Sequence, residues 1–201
     1  AAALNAGFNK STGEIQAYLN SDDVLYNNAI EVLVSEFLKD PNADIVFGDI
    51  DIIDEVGMPT HLRGGIASKL LAGQFTARSY CVGATMIPQQ ASAWKREVFI
   101  EVGGFEEKNI TCWDGEFFTD AAIANFKFRR VSKCIAQFRM HSNSLTGSGR
   151  YSIDSTGKDY EKRAQDRLRM HNKWLSARIR VSPIEKMYLN LTNKIFRGFR
   201  Y

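Results

Sequence analysis

Apolar positions along the chain follow two periods, and these separate its elements. Residues 15–19 form a short apolar run that reads as a buried strand. Ile30, Leu33, Val34, Phe37 and Leu38 then fall at i, i+3, i+4, i+7 and i+8, the spacing of a helix with one buried face, and Pro41 stops it. Ile45-Val46-Phe47 is the next strand; it breaks at Gly48-Asp49 and resumes as Ile50-Asp51-Ile52, whose alternation places one face in water. Residues 56–65, with Gly57, Pro59 and Gly64-Gly65, read as a hairpin or loop. Strand, helix, strand in this order predicts an α/β sheet. Farther on, Gly103-Gly104 ends a helix over residues 98–102. Asp114 is placed to N-cap a helix running through Phe117, Ala121 and Ala124, with Glu116 in its first turn.

Composition and charge divide the chain. With 44% hydrophobic residues among 201, it can bury a sizeable core as one compact domain. Residues 151–201 carry 12 Lys and Arg against 5 Asp and Glu, a net of +7, whereas residues 1–150 carry 14 against 18, a net of −4. This sets off residues 1–150 as the main domain and 151–201 as a basic helical extension. Within it, residues 160–174 read as one helix. In residues 184–199, Met187, Leu191, Ile195 and Phe199 recur every four residues among Lys186, Lys194 and Arg197, as in an amphipathic basic helix that lies on an anionic membrane or packs on the domain. Aromatics are not interleaved with the cations as a base-stacking platform requires, which argues against nucleic acid. The three cysteines, Cys81, Cys112 and Cys134, are widely spaced without a CxxC pair, which suits a reducing, cytoplasmic setting rather than a disulfide framework or zinc site. No apolar run approaches the roughly 18 residues that span a bilayer.

Candidate chemistry starts at Leu19-Asn20-Ser21-Asp22-Asp23, where an apolar run ends in two adjacent carboxylates. Open α/β sheets place ligands at strand ends. Oxygen ligands of this kind select Mg²⁺ or Mn²⁺, whose shell is completed by substrate phosphates. The same residues also suit a solvated turn.

The series Asn5-Ala6-Gly7, Thr12-Gly13-Glu14, Asn20-Ser21-Asp22-Asp23, Gly48-Asp49, Gln89-Gln90, Trp94-Lys95-Arg96, Gly103-Gly104-Phe105, Asp114 and Phe138-Arg139-Met140-His141 resembles the family 2 inverting glycosyltransferases of GT-A fold, over residues 1–146. The resemblance implies a partial GT-A, Rossmann-like mixed sheet flanked by helices. It implies transfer of a sugar from a nucleotide-diphosphate sugar to a hydroxyl of a saccharide or lipid-linked acceptor, with inversion and with Mg²⁺ or Mn²⁺. On that pattern Asp23 is the expected direct metal ligand, and Asp22 holds the donor ribose or a metal-bound water. His141 approaches the metal or diphosphate, and Asp114 is the general base. Gln89, Gln90, Gly103 and Gly104 meet the donor sugar, while Glu116 contacts the acceptor. The resemblance further implies polysaccharide assembly in a bacterium, at the cytoplasmic face of the membrane, with peripheral contact through residues 184–201. The family's strand-helix units that precede the Asn5-Ala6-Gly7 position have no counterpart here, so weak or absent donor binding by residues 1–201 alone is expected. The alternative is a non-catalytic interaction module that docks on a membrane or a partner glycosyltransferase.

Overall fold

The computed structural model describes residues 1–60, 87–145, 148 and 159–177. Helix α1 (Ala2–Lys10) contains Asn5-Ala6-Gly7 and turns Phe8 into the core. Strand β1 (Ile15–Gln16) is shorter than the run 15–19 predicts, because its antiparallel partner β4 (Ser92–Lys95) pairs only with Ile15 and Gln16. Beyond Gln16 the chain leaves the ladder for the turn that carries the acids, and then forms β2 (Val24–Leu25). Helix α2 (Ala29–Lys39) forms where expected. Its buried stripe is rotated from the expected one: Ala29, Val32, Leu33 and Phe37 are covered, while Ile30 and Leu38 are 56% and 76% exposed.

Strand β3 (Ile45–Ile53) runs unbroken through Gly48-Asp49. The expected break is a bulge, where the register with β5 (Phe128–Arg139) shifts between Phe47 and Ile50. Gly48 allows it: a Cβ there would lie 2.8 Å from Ile135 Cγ1 and 2.9 Å from the Lys133 carbonyl. Asp49 is held beside it by Arg130, whose guanidinium donates at 2.8 and 2.7 Å to the two carboxylate oxygens.

Two further helices, α3 (Arg96–Val102) and α4 (Trp113–Ile123), precede β5, and α5 (Tyr160–Ser176) follows it. The N-cap of α4 is Cys112, so Asp114 lies inside the first turn and is not the cap. The mixed sheet has the order β1-β4-β3-β5-β2. Because β1 and β3 are each antiparallel to β4, and β3 is parallel to β5, the chain leaves β1, β3 and β5 at one edge. An aliphatic core lies between α2 and one face, with Leu33, Val46, Ile50 and Ile135. The second core is aromatic: Phe8, Trp94, Phe99, Phe105, Phe117 and Phe118 pack α1, α3 and α4 together. Each such ring contributes about 1.5–3 kcal/mol by leaving water. Helix α5 lies on α4, joined by the Lys173 ammonium to Asp120 at 2.7 Å. The expected basic helix over 184–199 and half of the loop at 56–65, residues 61–65, fall outside the described residues.

Candidate functional site

The acid turn sits at the edge where β1, β3 and β5 end. It is shaped by the Asp23 backbone N–H, which donates to the Asn20 carbonyl at 3.1 Å. It is fastened to the end of β5, where Arg139 donates from Nε to the Asp22 carbonyl at 2.9 Å and from its backbone N–H to Asp23 Oδ1 at 3.0 Å. Arg139 also reaches the Asp54 carbonyl beyond β3 at 3.0 Å, so one guanidinium ties together three segments at this edge.

The two adjacent acids have different surroundings. Asp23 is 7% exposed, and Asn20 Nδ2 donates to its Oδ2 at 3.1 Å. Burial pushes its pKa up, opposed by hydrogen bonds from Arg139, Asn20 and Gln90. Asp22 is more open, and its Oδ2 lies 3.1 Å from His141 Nε2. The open carboxylate beside the imidazole is therefore Asp22, whereas Asp23 is engaged by protein donors. A carboxylate oxygen with an imidazole nitrogen is a donor set that Mn²⁺ accepts, and Mg²⁺ manages with one or two carboxylates when phosphates supply the rest. Among the described residues no three His, Cys, Asp or Glu side chains are grouped to hold a metal ion.

Gln89 and Gln90 occupy the short 3₁₀ turn Gln89–Ala91 before β4. Gln89 is buried; its Nε2 donates to the Tyr18 carbonyl at 2.6 Å and its Oε1 accepts from Asn20 Nδ2 at 3.3 Å. It thus braces the acid turn, while Gln90 is half-buried against Asp23. Gly103 and Gly104 adopt positive φ, +82° and +80°, at the end of α3. A Cβ on Gly104 would lie 2.8 Å from Asn5 Oδ1, and that oxygen accepts from the Phe105 N–H at 2.8 Å. This glycine pair therefore turns the chain under α1.

Asp114 lies in the first turn of α4. Burial raises its pKa, while the Gly115 and Asp114 backbone N–H groups and the charge of Arg163 act in the opposite direction. Its neighbour Trp113 donates from Nε1 to the Tyr18 hydroxyl at 3.3 Å. Tyr18 is the link between the two ends: burial raises its pKa most, followed by the charge of Asp114 and, more weakly, that of Asp23. Tyr18 therefore contacts both sides: its backbone carbonyl accepts from Gln89, which braces the acid turn, and its hydroxyl accepts from Trp113 at the start of α4. Glu116, one turn into the helix, points elsewhere. It is fully buried and takes hydrogen bonds from Asn109 Nδ2 at 2.7 Å, Arg169 at 3.0 Å and Lys173 at 2.6 Å. These donors occupy a carboxylate that was expected to meet an acceptor.

Tyr18 and Arg139 were not singled out as site residues by the sequence. Arg139 carried a signal in the motif Phe138-Arg139-Met140-His141, but Tyr18 reads as one apolar residue among several in a strand.

Known proteins share the family and the fold of this chain. The family model for glycosyl transferase family 2 matches residues 1–103, just over half of the chain. An uncharacterized glycosyltransferase of Nostoc sp. (strain PCC 7120) is 25% identical over 182 residues, covering 87% of this chain and 53% of that protein. The chain thus spans about half the length of this curated relative. The crystal structure of S. aureus TarS superposes with a TM-score of 0.51 at 15% identity, covering 84% of this chain and 30% of TarS. The TarS 1-349 structure gives 0.51 at 14% identity, covering 90% of this chain and 55% of that one. At these identities the structures show a shared fold, a partial GT-A α/β fold with a mixed sheet. The chain belongs to glycosyl transferase family 2.

Proposed function

We propose that this chain carries the metal and acceptor sides of an inverting glycosyltransferase, which moves a sugar from a nucleotide-diphosphate donor to a hydroxyl of a saccharide or lipid-linked acceptor. The observation that carries the reading is that Tyr18 contacts the supports of two differently built carboxylate sites, Gln89 through its carbonyl and Trp113 through its hydroxyl. One is the Asp22–His141 pair at the sheet edge, linked to the Tyr18 carbonyl through Asp23, Asn20 and Gln89; the other is Asp114, next to Trp113 at the start of α4. Inversion by direct displacement needs such a division, since the attacking hydroxyl loses a proton on one side of the sugar while the diphosphate leaves on the other.

Asp22 and His141 would hold Mg²⁺ or Mn²⁺, which when bound supplies Lewis-acid neutralisation of the leaving diphosphate. Asp23 braces that pair through Arg139 and Asn20. Gln90, beside Asp23, is the donor-facing amide, while Gln89 holds the turn. Asp114 accepts the proton of the acceptor hydroxyl as that oxygen bonds to the anomeric carbon and the bond to the diphosphate oxygen breaks. Burial favours protonated Asp114, so turnover is lost as pH falls through a value above the ordinary carboxylate range. Gly103, Gly104 and Glu116 act at one remove, by shaping α3 and holding α4. We place the protein at the cytoplasmic face of a bacterial membrane, in polysaccharide assembly, with residues 184–201 as the surface contact. Pelleting with anionic liposomes that persists after their removal would count against that contact.

Asp114→Asn is the direct test, made on the protein at its natural length with Mn²⁺ and a panel of UDP-sugars. General-base catalysis typically contributes about 10²–10⁴ in rate. The variant is expected to lose turnover on that scale and to keep Mn²⁺-dependent nucleotide binding. Near-normal turnover would sink the assignment.

A further inference from the structure

Helix α5 belongs to the stretch that the charge pattern sets apart as an extension, yet it grips the segment leading into α4. Asp166 is 4% exposed, and its Oδ2 accepts from the Ile110 N–H at 3.1 Å, the Thr111 N–H at 3.0 Å and Thr111 Oγ1 at 2.7 Å. Its Oδ1 accepts from Arg169 at 3.1 Å, and Arg169 in turn binds Glu116 of α4. Asn109 completes the clamp: its Oδ1 accepts from the Cys112 N–H at 2.8 Å, and its Nδ2 donates to Glu116 Oε2 at 2.7 Å. Burying a carboxylate is costly, and committing it to three donors of one loop fixes the backbone of that loop. Asp114 follows two residues after Cys112. One turn earlier on the same face of α5 is Arg163, whose Nε is buried without a hydrogen-bond partner among the described residues.

We infer that α5 is a working wall of the active site, in which Asp166 is the positioning residue for Asp114 and Arg163 is the cation brought up to it. The inference rests on the reading of Asp114 as general base. Without the clamp the first turn of α4 is free to shift, and a displacement of about 1 Å in a reacting group can cost on the order of 100-fold in rate. Arg163 acts on charge: its guanidinium favours ionised Asp114 against burial, which acts the other way. Among the described residues, the titratable groups that respond to the Asp114 charge are the Tyr18 phenol, ahead of the acid turn, and the Cys112 thiol from the preceding loop, both also pushed up by burial. Both stay neutral at ordinary pH, so among the described residues Arg163 is the charged neighbour that tunes the base.

Asp166→Ala, Asp166→Asn and Arg163→Gln, made in the protein at its natural length, test this by three readouts: amide exchange, ¹³C titration of the Asp114 carboxyl, and steady-state consumption of UDP-glucose and UDP-N-acetylglucosamine with Mn²⁺. In Asp166→Ala, exchange at Ile110 and Thr111 is expected to speed up roughly tenfold or more as charge-assisted hydrogen bonds are lost. Its kcat falls about 10-fold to 100-fold at unchanged donor KM, with Asp166→Asn in between. In Arg163→Gln the melting temperature holds, while the Asp114 titration midpoint and the acidic limb of the pH–rate profile both move upward. The inference is overturned if both positions leave kcat and the Asp114 titration as in the parent, or if kcat falls only in step with loss of folded protein. Asp114→Asn separates the two failures. Turnover by that variant defeats the general-base reading itself, whereas an inactive Asp114→Asn alongside parent-like α5 variants defeats this inference alone.

Discussion

At the scale of single residues, burial and partners sort carboxylates of one chemistry into different tasks. Asp22 has an open oxygen beside an imidazole, Asp23 is enclosed by donors, and Glu116 is locked between two cations. Asp22→Asn should therefore weaken Mn²⁺ binding by at least about 100-fold, since even an outer-shell partner of a metal ligand is typically worth 10- to 100-fold. Titration of free Mn²⁺ by electron paramagnetic resonance, in the presence of UDP, measures this, and an unchanged affinity would remove Asp22 from the metal site. The two glycines after α3 allow a comparison at matched backbone. Both have positive φ, but a Cβ on Gly103 meets nothing within 4 Å, whereas one on Gly104 meets Asn5 Oδ1 at 2.8 Å and Phe99 Cζ at 3.0 Å. Gly103→Ala should cost about 1–2 kcal/mol of left-handed strain, and Gly104→Ala about 2–4 kcal/mol because overpacking is added. Urea unfolding of the two variants decides; equal losses would mean that the Asn5 contact yields freely.

At the scale of elements, the sequence was legible where one periodicity or one stop signal dominated. The apolar stripe of α2 and the glycine stop of α3 both located their helices, and α5 formed over the stretch read as helical. Strand β5 was not legible: Arg129, Arg130 and Lys133 interrupt its apolar residues, and its placement comes from pairing with β3, over 80 residues away in sequence. Helix α1 offers only Leu4 and Phe8 as an inward face, too little to be read without the aromatic core they join. The split between Asp22 and Asp23 was hidden for a similar reason, because the Arg139 N–H that claims Asp23 arrives from 116 residues along the chain. The α4–α5 joint is another long-range product, and it makes a pH prediction. Burial alone would raise the Glu116 pKa, but hydrogen bonds from Arg169, Lys173 and Asn109 prevail and hold it below the usual value. A depressed carboxylate stabilises the fold fully above its unfolded value, about 4.3, and this contribution is lost as pH falls through the lower folded value. Glu116→Gln should cost about 1–3 kcal/mol at pH 7, limited because Arg169 and Lys173 retain Asp166, Asp120 and some water. In urea titrations the gap between variant and parent should close as pH falls below the unfolded value. A gap that is constant with pH would assign the cost to packing instead.

At the scale of the whole molecule, three strands ending at one edge and an aromatic layer behind them bring the support of the acid turn and the start of α4 to the same residue, Tyr18. Tyr18 belongs to both: its ring packs edge-on against Trp94 at 6.2 Å and Phe105 at 5.7 Å, and its carbonyl holds Gln89. Movement of α4 against the sheet would have to disturb this packing, including Trp94 against Phe117 at 4.9 Å. The two carboxylate sites are thus parts of one rigid arrangement, and if they serve one transition state their losses cannot add. In enzymes whose groups act as a unit, removing a second member after the first costs little more. The double variant Asp22→Asn with Asp114→Asn should then consume UDP-sugar at about the rate of the slower single variant, within roughly threefold. Independent sites would instead multiply the two losses, since distant groups without shared partners add in free energy to within about 0.5 kcal/mol. Initial rates of the parent, both single variants and the double variant, at saturating Mn²⁺ and donor, discriminate between these outcomes. A multiplicative result would mean that the Asp22–His141 pair and Asp114 do not act on the same reacting bond.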